Sequence, residues 1–421
     1  MPLPDLIEIV PLDKPVRAVI TIPGSKSITN RALILVALGE GETTLRGALW
    51  SEDTQVMVDC LQELGFMVNV APDVQEAGNR TITVYGKGGL VPPGGTEQQP
   101  LELYVGNAGT AARFLAALVC LGKGVYRLQG VSRMHERPQS GLFQALRELG
   151  YRIDSPNDKL PVVMFGAGPR AARCRVSIEE SSQFASALLL CAEVGRWQVA
   201  VTGQNAEESP YVVMTSKLIK AFPKGGGAFH IEPDASSASY FWAAGFELDL
   251  AVSVRAGPAS DWQVDAAFPR FFPLPEVVSR RTDLGDSIMT AIVLAPFANK
   301  PVRFTDLGRL RVQECERVAA LRTELTRCGA KVIEDGDTLT VLPSKLHAGE
   351  IETYGDHRMA MCFAILGLKV PGIRLKNASC AKKTFPSFFQ KLAAPPPAGL
   401  GAGILDGKSG RRLSEAELFA E

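Results

Sequence analysis

PGSKSITNRALILVALGEGETTL, residues 23–45, carries the pattern from which the fold is read. A short Gly/Ser cluster, Pro23 to Ser27, runs without interruption into the apolar stretch Ile28 to Leu38. Serine and other small polar residues cap helix starts, and the N–H groups left over there, with the helix dipole, attract anions. Lys26 and Ser27 stand at the helix start, and Ser27 and Arg31 lie four apart on one helical face. An ammonium, a hydroxyl and a guanidinium are thus presented beside a positive helix end, which suits a phosphate or a carboxylate. From this segment alone, a solvated helix start with surface charges reads the same way.

The arrangement recurs along the chain. Gly106-Asn107-Ala108-Gly109-Thr110 precedes Ala111 to Leu121, and Ser181-Ser182-Gln183 precedes Phe184 to Ala192. Asp234 to Ser237 precedes Ala238 to Ala244, and Gly355-Asp356 precedes His357 to Leu368. Several such ends meeting in one cleft would bind an anion without a metal. A second motif also repeats. Leu61-Gln-Glu-Leu-Gly-Phe-Met-Val68, Leu146-Arg-Glu-Leu-Gly-Tyr-Arg-Ile153 and Leu325-Thr-Arg-Cys-Gly-Ala-Lys-Val332 each read as a helix end, a glycine C-cap and a strand. Such self-similarity suggests one supersecondary unit used several times in an α/β protein, although Leu-Gly at a helix end is common in that class.

Composition bounds the function. Hydrophobic residues make up 46% and charged residues 21% of 421, ordinary for a globular chain with more than one domain's worth of core. The 45 basic and 45 acidic side chains cancel, which argues against a nucleic-acid partner and requires any anion site to come from local clustering. Eight cysteines form no Cys-x-x-Cys pair and only four histidines are present, so neither a metal site nor a disulfide framework is suggested. The N-terminal residues lack a signal pattern, and runs such as Phe114 to Leu121 fall far short of the ~20 residues of a membrane span. A cytoplasmic enzyme without a membrane partner is the expectation.

Further candidates are spread through the chain. Paired glycines in Gly106–Gly109 let a ligand approach the backbone, although neither the Walker A nor the dinucleotide fingerprint is present. Arg113 follows, and Arg137-Pro138 places a guanidinium before a helix over Gln139 to Gly150. Asp286 is a lone carboxylate ahead of the apolar run Ile292 to Ala295. Arg311 to Arg317 is expected on one helix, with Glu314 and Arg317 sharing a face, a spacing that an ordinary surface salt bridge would also give. Asp356-His357-Arg358 opens another helix, and Lys383 precedes a proline turn. Residues 394–421 begin with a Pro/Gly linker composition and are expected to be an appendage, with Ser414 to Glu417 as a capping box.

Taken in order and spacing, PGSKSITNRALILVALGEGETTL, GNAGTAARFLAAL, ERPQSGL, SSQFASALL, PDASSASYFWAA, RVQECER, TYGDHRMAM and KKTFPSFF resemble the 5-enolpyruvylshikimate-3-phosphate synthase family over nearly the whole folded body. The resemblance implies an α/β fold of two similar lobes, each of three βαβαββ units in an inverse α/β barrel, closing over substrate between them. Residues 1–23 and 234–421 would form one discontinuous lobe and 24–233 the other.

The implied activity is transfer of the enolpyruvyl group of phosphoenolpyruvate to the 5-hydroxyl of shikimate 3-phosphate, in chorismate biosynthesis, by a monomer with no cofactor and no metal. Carried over residue by residue, the catalytic groups are Lys26, Asp286 and Glu314. Phosphoenolpyruvate would meet Lys26, Asn107, Gly109, Arg137, Gln183, Arg317, Arg358 and Lys383. The acceptor would meet Ser27, Arg31, Ser181, Ser182, Gln183, Tyr211, Asp286, Arg309 and Gln313.

The chain departs from the family mostly on the acceptor side. Glu208 stands where the family usually has serine, Gln313 where it has lysine, and Arg309 where it commonly has asparagine. Losing a lysine and gaining a glutamate weakens the hold on a dianion, and Arg309 offers compensating charge. Phe114 replaces a proline beside Arg113. The stretch from Asp234 to Asp286 is short for a full unit, and Phe268 to Pro275 lacks the usual helix-and-strand pattern. Two other readings therefore stay open: a related transferase using a different hydroxylated ring, and a non-catalytic binding protein that keeps the cleft.

Overall fold

A computed structural model describes residues 3–203, 209–247, 251–255 and 257–420. The chain divides into two compact units, one of Met1–Pro23 with Pro233–Glu421 and one of Gly24–Glu232.

Each unit repeats one sheet plan. In the unit of residues 24–232, Gly227–His230 runs parallel to Glu40–Leu49, which pairs antiparallel with Asn79–Lys87, which pairs antiparallel with Met67–Pro72. Leu101–Tyr104, Lys123–Gln129, Val162–Ala167 and Arg152–Asp154 follow the same order of pairings, and here the elements run as one continuous βαβαββ. The third sheet is a parallel pair, Ala172–Ser177 with Trp197–Thr202. The other unit matches it. Val277–Ser279, Val302–Thr305, Thr338–Leu342 and Lys331–Asp335 form one sheet, and Gly349–Ile351, Ile373–Lys376, Leu6–Ile9 and Ile404–Asp406 a second. Arg17–Ile20 with Ala251–Val254 is the parallel pair. The expected α/β class with three sheet-and-helix units per lobe is what these pairings describe, with the third sheet in each unit reduced to two strands among the described residues.

The glycine punctuation explains why the motif could be read from sequence. Gly65, Gly150 and Gly329 have φ of 87°, 88° and 91°, a left-handed conformation that costs glycine nothing. After each, the next N–H reaches back to the helix: Phe66 to Leu61 O, Tyr151 to Leu146 O and Ala330 to Leu325 O, at 3.0, 3.2 and 2.9 Å. With Gly65, Gly150 and Gly329 donating to Gln62, Arg147 and Thr326, all three ends are Schellman caps.

The apolar helices are inner ones. Every residue of Gly109–Cys120, Ile288–Leu294 and His357–Gly367 is buried, which is why their sequences are apolar all round rather than amphipathic. In the unit of residues 24–232 the inner trio is Lys26–Leu38, Gly109–Cys120 and Ser182–Gly195. Their second turns meet at Arg31, which donates to Ser186 Oγ of the third helix (3.0 Å) and lies 5.3 Å above the Phe114 ring of the second. The three helices therefore start at the same end. In the other unit the trio is Ala235–Glu247, Ile288–Leu294 and His357–Gly367, joined by the Ser239–Thr290 hydroxyl contact (2.9 Å) and the Thr290–Cys362 contact (3.6 Å).

Three sequence expectations are corrected. Arg311 to Arg317 is not one helix. A 3-10 turn ends at Val312, and the α-helix begins at Arg317, where Glu316 caps it by accepting from Ala319 N. Arg311 is drawn instead onto Glu334 and Asp337, so Glu314 lies on the loop between the two elements. The tail is not an appendage either. Ile404–Asp406 adds a strand beside Leu6–Ile9, Leu413 and Leu418 are buried, and Ala420 N donates to Pro386 O. Its prolines and glycines make turns that return apolar residues to the core. The helix after Arg137 is shorter than expected, Ser140–Glu148.

The short stretch after residue 255 contains a 3-10 helix, Val264–Phe271, with Pro269 inside it. Phe268 and Phe272 stack on Trp242 and Phe246 of the helix Ala235–Glu247, so aromatic packing covers this face. Among the described residues no helix is long and apolar enough to cross a membrane.

Candidate active site

In the unit of residues 24–232, the predicted residues gather at the starts of the inner helices. Gly24 lets the chain turn into the first of these, because a Cβ there would stand 1.9 Å from Gly47 O; its N–H donates to Asn79 Oδ1 at 2.8 Å. Lys26 then projects to Asp53, with Nζ 2.9 Å from Oδ2 and both side chains largely buried. Asp53 was not anticipated. It stands in the first turn of Glu52–Glu63, fixed by the Ser51/Thr54 capping box, a signal that is visible in Ser-Glu-Asp-Thr.

Gly109 opens the second inner helix beneath two guanidiniums. A Cβ on it would lie 2.6 Å from Arg137 Nη2 and 2.9 Å from Arg113 Nη1. Arg113 donates to Gln183 Oε1 (2.6 Å) and to Pro138 O (3.0 Å), while Arg137 donates to Asn107 O (3.1 Å). Gln183 Nε2 donates to Thr110 Oγ1 (3.2 Å), and Ser181 Oγ caps the third helix by accepting from Gln183 N. Asn107, Gly109, Arg137, Ser181, Ser182 and Gln183 are therefore neighbours. Arg113 and Arg137 are thus oriented by the neutral carbonyl and amide oxygens of Gln183, Pro138 and Asn107.

Arg31 is placed differently from an exposed acceptor ligand. It is only 2% exposed, and it donates to Thr215 Oγ1 (2.7 Å) and Ser27 O (2.9 Å) as well as to Ser186. Burial pulls its pKa down to about 10, opposed by Tyr211. Phe114, the departure from the family pattern, faces this guanidinium and is fully buried. Tyr211 lies on the helix Ser209–Ala221, where its carbonyl accepts from Thr215. Glu208 lies outside the described residues.

In the other unit the site is an ion network. Asp286 Oδ1 is 3.2 Å from Arg280 Nη2 and 4.0 Å from Arg317 Nη1, and Oδ2 is 3.2 Å from Arg358 Nη2. Arg317 continues the chain to Glu314 Oε2 at 2.8 Å, and Glu314 Oε1 lies 3.5 Å from Lys383 Nζ. The Glu314–Arg317 pair is thus largely buried, which sets aside the alternative of an ordinary surface salt bridge. Behind it, fully buried Asp356 accepts from Arg317 Nε at 2.6 Å and Nη2 at 3.2 Å, and caps the third inner helix through Arg358 N. Gln313 Oε1 also accepts from Arg317, so it meets a predicted donor-side residue. Arg309 sits in the 3-10 turn Gly308–Val312.

Burial alone would push the Asp286 carboxyl up, but Arg358, Arg317 and Arg280 together hold it well below the usual carboxylate range. Arg317 shifts the opposite way: burial would lower it, and Asp356, Glu314 and Asp286 raise it further. Arg280, Tyr240 (which accepts from Arg358 Nη1 at 3.4 Å) and Asp356 as an arginine partner were not anticipated. Only Asp356 had a sequence signal, its place in Gly-Asp-His-Arg.

The sequence model of the EPSP synthase (3-phosphoshikimate 1-carboxyvinyltransferase) family matches residues 11–224 and 276–392. The chain belongs to this family. The gap in the match contains the short, aromatic-packed stretch before Asp286. Among relatives, the 3-phosphoshikimate 1-carboxyvinyltransferase of Trichormus variabilis is 37% identical, covering 92% of this chain and 98% of that one. The enzyme of the same name from Opitutus terrae is also 37% identical, over 93% and 98%. In fold, an EPSP synthase from Acinetobacter baumannii matches with a TM-score of 0.74 at 20% identity, covering 95% of this chain and 100% of that one. The enolpyruvyl transferase NikO of Streptomyces tendae matches at 0.68 and 16%, over 96% and 99%.

Proposed function

We propose that this enzyme transfers the enolpyruvyl group of phosphoenolpyruvate to the 5-hydroxyl of shikimate 3-phosphate by addition and elimination, releasing phosphate. The observation that carries the reading is the line Asp286–Arg317–Glu314–Lys383, in which cations alternate with two carboxylates. An anionic substrate on these cations has an acid–base group on either side. The chemistry needs both, because one proton leaves the acceptor hydroxyl while another reaches the methylene carbon.

In this reading Asp286 takes the hydroxyl proton as oxygen attacks C2 of phosphoenolpyruvate. Lys26 and Glu314 serve the methylene end, adding a proton to C3 and removing one when the tetrahedral adduct expels phosphate. The three guanidiniums keep Asp286 ionised but weakly basic; a ligand anion that shares Arg358 and Arg317 loosens their hold and makes it a stronger base. Asn107, Gly109, Arg137 and Gln183 add anion-binding groups for the donor, and Ser27, Ser181, Ser182, Tyr211, Arg309 and Gln313 serve the acceptor. Arg31 supports these groups from beneath.

We further propose a cytoplasmic monomer with no nucleic-acid or membrane partner. The balanced charge supports this, as do the eight cysteines, all free thiols as expected in a reducing compartment. The functional test is phosphate release with phosphoenolpyruvate and shikimate 3-phosphate, beside unphosphorylated shikimate and no acceptor. Release that depends on shikimate 3-phosphate is expected. Silence from folded protein that binds phosphoenolpyruvate would reject this acceptor. Light scattering in solution checks the monomer.

A further inference from the structure

The aspartate at 265 lies outside every group considered so far, in the 3-10 stretch before the site. It is 3% exposed, and its carboxylate is taken up by donors of the protein itself. Its Oδ1 accepts from Gly285 N at 2.7 Å, from Ser287 N at 3.3 Å and from Ser287 Oγ at 2.6 Å. Its Oδ2 accepts from Ser236 Oγ, in the first turn of the inner helix Ala235–Glu247. One carboxylate thus grips both residues that flank Asp286 and ties them to the start of a neighbouring helix.

The fit is close. A Cβ on Gly285 would lie 3.1 Å from both Asp265 oxygens and 3.0 Å from Val264 Cγ1. Two residues earlier Gln263, itself buried, accepts from Ala235 N at 2.9 Å and donates to Pro233 O at 2.8 Å, anchoring the segment to the same helix start. Asp286 itself adds one backbone bond, its carbonyl accepting from Met289 N at 3.2 Å. Its carboxylate faces three guanidiniums, any of which could draw it aside if the backbone at 285–287 were free to turn.

We infer that Asp265 is a positioning residue for the reaction, fixing the backbone on both sides of Asp286 so that its carboxylate keeps one place among its three arginine partners, from which it takes the proton of the acceptor hydroxyl. The inference rests on the reading of Asp286 as the base. It gives the segment the family model leaves unmatched a role in catalysis as well as in packing.

The test uses the full-length chain with phosphoenolpyruvate and shikimate 3-phosphate, measuring kcat per folded molecule and both KM values well below each variant's Tm. Asp265→Ala is expected to lower kcat about 100-fold while moving either KM by less than about 3-fold, as a small displacement of a reacting group does. Asp265→Asn should recover most of the rate, since its amide oxygen still accepts from Gly285 and Ser287. Ser287→Ala, which loses one bond of the grip, should fall in between. A wild-type kcat in Asp265→Ala, whatever its Tm, would overturn the inference. Should that variant not fold, a wild-type kcat in Ser287→Ala overturns it equally. Asp286→Asn is the control for the underlying reading: full activity there removes Asp286 as the base, and the role given to Asp265 with it.

Discussion

The two units hold their cations with different partners. In residues 24–232, Arg113 and Arg137 rest on Gln183 Oε1, Pro138 O and Asn107 O, and Lys26 faces Asp53. In the other unit Arg280, Arg317, Arg358 and Lys383 are interleaved with Asp286, Glu314 and Asp356. A neutral acceptor orients a guanidinium without itself cancelling the charge, which suits Arg113 and Arg137 to holding an anion. Carboxylates cancel charge but can move protons, so the second is suited to acid–base work. In the proposed reaction binding falls mainly to the first set and acid–base work to Asp286 and Glu314, with Lys26 the exception in the first.

The largest effect that would test this division is at Asp286. Asp286→Asn keeps the shape but removes the base, and kcat should fall by about 10²–10⁴ with little change in KM for phosphoenolpyruvate. A loss confined to KM would make Asp286 a binding residue and erase the contrast. Next is Arg31, whose donors join Thr215, Ser186 and the Ser27 carbonyl inside the unit of residues 24–232. Arg31→Ala leaves buried acceptors unsatisfied and should cost about 2–4 kcal/mol, read from urea midpoints. A stable variant with only a raised acceptor KM would return Arg31 to the acceptor site.

A smaller effect is expected at Gly109. Gly109→Ala pushes on the flexible ends of Arg113 and Arg137, which yield easily. Tm should hardly move, while KM for phosphoenolpyruvate rises about 10-fold, the effect of a misplaced charge-assisted contact. An unchanged KM would separate these guanidiniums from the donor. The smallest effect is that of pH. Asp286, Glu350, Asp406 and Glu417, all in the unit of Met1–Pro23 with Pro233–Glu421, have folded pKa values below their unfolded ones. Their stabilisation is present above the unfolded values, about 4, and is lost as pH falls toward the folded values. Asp265, held above its ordinary value chiefly by burial, works the opposite way as a single group. Hydrogen exchange from pH 5 to pH 3 should therefore loosen Ile288–Leu294 before Lys26–Leu38. The reverse order would break the comparison from the stability side.

Much of this was legible in the chain because it is local. Five polar clusters that run into apolar stretches marked five of the six inner helices; side chains cap three of these starts, at Ser181, Asp234 and Asp356, while the starts at Lys26 and Gly109 have no side-chain cap. Gly65, Gly150 and Gly329 marked the Schellman caps just as locally. The sixth, Ile288–Leu294, was anticipated only as an apolar run behind Asp286. Glu314 was misplaced onto a helix because its spacing from Arg317 allowed one; Arg311's distant partners Glu334 and Asp337 decided otherwise. The tail was misread because its proline and glycine content resembles a linker, whereas Leu413 and Leu418 have a core to return to.

By itself, then, the sequence determined the repeated unit, the helix starts and the residues that line them, because these depend on backbone propensity and on neighbours within a few positions. Tertiary structure alone decided which carboxylate faces which cation: Asp53 for Lys26, Asp356 for Arg317, and Asp265 for the backbone around Asp286. Those partners lie tens of residues apart, and burial makes each pairing strong and selective only after the core has excluded water.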